Sequence, residues 1–176
     1  MKLLDDLLKE QDASRVQAWL DSVWSGQQQA PDDPNWWQAV AYDAAQKARL
    51  GSDLTWAQVA TSVYDHLATQ ADNAGRNSFM LSSMMLRADM ISRLGVVPGH
   101  PVLDIDNISR WFFDSLEIPY EEASRQADAW TELQVEDIRK LRAIKNRLGV
   151  IKLLSDEGLL DDTELSKWLL LRDKLP

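Results

Sequence analysis

Apolar residues recur at intervals of three and four along almost the whole chain, and the strict alternation of a half-buried strand is nowhere sustained. Such a chain folds as packed helices. A 3.6-residue period gathers the apolar side chains into one stripe per helix, and contact with another helix buries that stripe. Trp56, Val59, Ala60, Val63, Leu67 and Ala71 show the spacing cleanly. Residues 78–94 go further: Phe79, Met80, Leu81, Met84, Met85, Leu86, Met90, Ile91 and Leu94 leave no polar face, which places that helix inside a bundle.

Capping residues divide the pattern. Residues 2–25 form two helical pieces, with Asp12 as an N-cap between them and Gly26 as the stop. Asp33 followed by Pro34 opens a helix to about Leu50, with Gly51 past its end. Thr55 with Gln58 three residues on reads as a capping box, and 72–77 (DNAGRN) reads as a turn. Gly95 closes the apolar helix and Asp104 caps the next one, which carries Ile108, Trp111 and Phe112. Pro119 begins another helix. A long segment from 134 to 154 follows, with Gly149 as a point of kinking or splitting, and Thr163 starts the last helix. The expectation is an all-α fold: a compact irregular bundle of about eight or nine helices, in a single domain over residues 1–176. A chain of 176 residues fits one domain and has enough length for a core without staples.

The absences narrow the function. With no cysteine, the chain has no disulfide, no thiolate metal site and no thiol nucleophile, which fits a reducing compartment. The opening run is broken by Asp5 and Asp6, no apolar stretch reaches the ~18 residues of a membrane span, and the expected location is the cytoplasm. The two histidines, His66 and His100, have no glutamate three residues before them, so the di-iron pattern is missing; His-Glu-x-x-His is missing too. Seven scattered glycines make no phosphate loop, and Ser82, Ser83 and Ser92 have no adjacent base. Asp104/Asp106, Glu121/Glu122 and Asp161/Asp162 pair carboxylates, but helix starts attract acids through the macrodipole without any chemistry. No enzyme, metal or cofactor is expected.

Charge and tryptophan carry the positive signal. The net charge is −9, and residues 1–135 hold 10 basic and 20 acidic side chains against 9 and 8 in residues 136–176. Acids are densest over 104–132, where aromatics run among them. Trp111, Phe112 and Phe113 are consecutive, so one helix cannot turn all three inward. Exposed aromatics among acids suit the capture of a basic protein, with charge steering the encounter and aromatics holding the complex. The expected contact residues are Asp104, Asp106, Phe113, Asp114, Glu117, Tyr120, Glu121, Glu122 and Asp128. A second cluster, Arg139, Lys140, Arg142, Lys145, Arg147 and Lys152, forms either a phosphate-binding stripe or the wet face of a helix whose core residues interleave with it.

A small, acidic, cysteine-free helical bundle has the general character of a bacterial immunity or antitoxin protein, which occludes the active site of a toxin, often a nuclease with a basic groove. The expectation is therefore a non-enzymatic protein-binding module for a basic toxin domain, with neither membrane nor nucleic acid as partner. The alternatives are a nucleic-acid regulator using 139–152 and a carboxylate-site, metal-dependent enzyme.

Overall fold

Asp12, Asp33, Asp53, Asp72, Asp104 and Asp162 each accept a backbone N–H at the start of a helix, and these six caps set most of the element boundaries. The computed structural model describes residues 2–176, and among these it contains nine α-helices and no strand. No helix is long and apolar enough to cross a membrane. Contacts group the described residues into two compact units, one running up to residue 95 and taking in 99–103, the other of residues 96–98 and 104–176.

The first unit holds α1 (Lys2–Lys9), α2 (Ala13–Trp24), α3 (Pro34–Gly51), α4 (Leu54–Gln70) and α5 (Asn73–Leu94). Its dominant packing is α3 on α4 and α4 on α5. Small residues mark the first of these contacts. Ala41, Ala44, Ala45 and Ala48 of α3 and Ala57 and Ala60 of α4 are all fully buried, and methyl-sized side chains let helix backbones come close. Lys47 ties α1 down by donating to the carbonyls of Leu8 (2.9 Å) and Glu10 (3.1 Å), where a finishing helix leaves acceptors open. In α5, Met84, Leu86, Ala88, Met90 and Ile91 are buried as the apolar pattern requires. Arg87 is buried with them. It donates to Asp65 on α4 (3.0 Å) and to Ser83, which in turn donates to Asp65 (2.7 Å), and it also reaches the Pro101 carbonyl at 3.4 Å. The neighbouring loop is shaped by His100, whose Nδ1 accepts from the N–H groups of Val102 and Leu103.

The second unit holds α6 (Ile105–Asp114), α7 (Tyr120–Asp128), one 3₁₀ turn (Trp130–Glu132), α8 (Val135–Asp156) and α9 (Thr163–Arg172). Ile108 and Phe112 of α6, Leu141, Ile144, Leu148, Ile151 and Leu154 of α8, and Leu165 and Trp168 of α9 make its core. α8 packs on α9 and α6, while α7 packs on α9.

Several boundaries differ from the sequence reading. Asp53, not Thr55, caps α4, accepting from Thr55 (2.9 Å) and Trp56 (3.0 Å). The left-handed residue after α3 is Ser52, at φ 48°, and Gly51 is still helical. The DNAGRN segment begins α5, because Asp72 caps it through the Gly75 N–H at 2.8 Å. Gly149 lies within an unbroken α8.

Candidate functional site

On α6 the residues at one helical spacing, Ile108, Trp111 and Phe112, turn inward. The complementary positions Asp106, Arg110, Phe113 and Asp114 are exposed, one and two turns apart on a single outward face. Phe113 is therefore the aromatic left over from the run of three. It is 36% exposed and rests edge-on against the buried Phe112, with ring centroids 5.5 Å apart. The carboxylates of Asp106 and Asp114 form no hydrogen bond or ion pair with any described residue.

The rest of the expected contact set divides. Asp104 caps α6, accepting the Asp106 N–H at 3.1 Å. Glu117 accepts from Arg139 of α8 at 3.2 Å. Glu122 binds Arg125 one turn on and accepts from Gln126 at 2.8 Å. Those hydrogen bonds, Arg125's first, hold its carboxyl below the usual carboxylate range. Asp128 lies 3.8 Å from Lys174, a loose pair of exposed side chains. Tyr120 meets Trp168 in a T-shaped contact at 5.2 Å and carries the Lys167 ammonium 4.3 Å from its ring centroid, so the ring already has internal partners. Glu121 is exposed and unpaired on the outward face of α7. The structure thus brings Asp106, Phe113 and Asp114 together, keeps Glu121 available on α7, and commits Glu117, Tyr120 and Glu122 to internal contacts.

The basic stripe is dispersed. Arg147 is 3% exposed, not on the wet face, and donates to the Ser115 carbonyl at the end of α6 at 3.1 Å. Burial lowers its pKa from the ordinary guanidinium value. Arg139 serves Glu117 and Glu136, Lys145 the Leu175 carbonyl, and Lys152 Asp156. Lys140 and Arg142 are left without such partners among the described residues.

No group of three His, Asp or Glu among the described residues could hold a metal ion. Ser83 donates to Asp65 and accepts from Arg87, which holds its hydroxyl in a structural network.

One constellation went unread in the sequence. Trp24 stacks on Trp37 at 5.3 Å, and His66 lies 4.5 Å from Trp24 and 5.2 Å from Trp37. These rings, from α2, α3 and α4, line a groove of about 480 Å³ in the first unit. The only sequence signal for it was the count of eight tryptophans, because the three residues meet only once α2, α3 and α4 are packed. The chain matches no family model, no curated protein and no solved structure.

Proposed function

We propose that this chain is a non-enzymatic protein-binding module that masks the active site of a basic partner, as an immunity or antitoxin protein masks a toxin. The observation that carries this reading is the outward face of α6: two unpaired carboxylates, Asp106 and Asp114, beside the exposed ring of Phe113. Unpaired surface carboxylates steer a cation-rich partner, and its cations offset their desolvation by pairing with them. The adjacent aromatic then supplies contact area at low entropic cost. A nuclease toxin, whose substrate groove must be basic to hold phosphate, is the partner class this face suits. The reading includes a cytoplasmic location, with which the absence of cysteine agrees.

The test uses two baits in the native host, the natural chain and its Asp106→Lys/Asp114→Lys variant, followed by kinetics on the recovered partner. The reading predicts a basic protein that associates about tenfold more slowly with the variant at low salt, with the gap closing as salt rises. An acidic partner, or equal association rates for the two baits, would remove α6 as the interface.

A further inference from the structure

We propose that the groove beside Trp24 and Trp37 is a recognition site for a guanidinium group, the arginine side chain of a protein partner. Its wall is aromatic. Trp24, 37% exposed, closes α2 and supplies the open ring; Trp37, 5% exposed, backs it and is held by donating its Nε1–H to the Pro31 carbonyl at 3.0 Å, and His66 abuts both rings. Burial holds His66 below the usual imidazole range, which favours the neutral ring.

The electrostatics around that wall have one sign. No lysine or arginine lines the groove. Asp32 lines it from the loop before α3 and has no hydrogen bond or ion pair with any described residue. Two helices end there, α2 at Trp24 and α4 at Gln70, and helix C-termini carry partial negative charge. The one N-terminus present, that of α3, already has its own counter-charge, since Asp33 accepts the Asn35 N–H at 3.0 Å. A planar, weakly hydrated cation matches all of these features. Guanidinium stacks on indole faces and forks onto a carboxylate, whereas a compact, strongly hydrated ammonium gives up more in leaving water. The site lies wholly within the first unit and does not depend on the α6 interface.

The probe is N-acetyl-arginine amide, titrated into the full chain and followed through the imidazole resonances of its two histidines. His66 lines the groove, while His100 does not and serves as the internal control. The proposal predicts a saturable shift at His66 alone, with a dissociation constant of the order of a millimolar. N-acetyl-citrulline amide, equal in shape but uncharged, should give no saturable shift. Asp32→Asn should weaken binding about two- to fivefold. Gln70→Lys, which puts a competing cation on the rim, should abolish it. Both positions are exposed, so neither variant threatens the fold. Asp106→Lys/Asp114→Lys should leave the titration unchanged, which separates this site from the α6 face. Equal binding of the citrulline compound, no shift at His66, or an unaltered affinity in Asp32→Asn and Gln70→Lys would overturn the proposal.

Discussion

Replacing Arg147 by alanine tests the packing of the second unit at its least obvious point. The guanidinium is 3% exposed and donates to the Ser115 carbonyl at 3.1 Å, where α6 ends. Hydrogen bonds to charged groups contribute about 1.5–3 kcal/mol, and truncation also removes the packing of a buried aliphatic stem. The expected loss is about 2–3 kcal/mol. For a chain of this size that lowers the melting temperature by about 5–10 °C. Arg142→Ala, on the exposed side of the same helix, should stay within about 0.5 kcal/mol. Arg147→Met should recover part of the loss, because a buried charge exchanged for an apolar side chain of similar length sheds its desolvation cost. Scanning calorimetry gives the comparison. Hydrogen exchange at the α8 amides assigns it to the second unit, since a chain of two units need not unfold in one step. If Arg147→Ala and Arg142→Ala melt together, the buried cap does not exist and Arg147 belongs to the solvated face.

Phe112→Ala should cost about 3–5 kcal/mol, whereas Phe113→Ala, one residue on, should cost less than about 1 kcal/mol; urea midpoints read the difference. Asp53→Ala should destabilise by about 1 kcal/mol through loss of two capping bonds, and Thr55→Ala should change little, in thermal melts of the two variants. Because burial lowers the His66 pKa, the unfolded chain binds more protons than the folded one as pH falls through ~6.5. Stability should therefore decline across that window, and His66→Asn should show a shallower decline in urea midpoints measured from pH 7.5 to 5.5.

The helical class was legible because period and caps agreed: an apolar stripe at 56–67 and an aspartate before most helices leave few other folds. The details that went astray share a cause. Thr55 and Asp53 offer competing caps two residues apart, and local sequence does not rank them. Backbone geometry does, by turning the Asp53 carboxylate onto two N–H groups. Arg147 looked solvated because charge normally is, and only the end of α6 arriving beside α8 gives it an acceptor. Likewise Glu117 and Tyr120 looked free in a one-dimensional count of acids and aromatics, but Arg139 and Trp168, from distant stretches of the chain, take them up. Three consecutive aromatics must leave one outside a helix, and of the three Phe113, already named as a contact residue by the sequence, is the one exposed on α6.

Under the proposed function, Asp106, Phe113 and Asp114 form an interface for a basic protein. The most direct measurement is the association rate of the recovered partner with the natural chain and with Asp106→Lys/Asp114→Lys, across a salt series. An interface on α6 gives a rate about tenfold lower for the variant at low ionic strength, and convergence of the two as screening sets in. Rates that coincide at every salt concentration would contradict it.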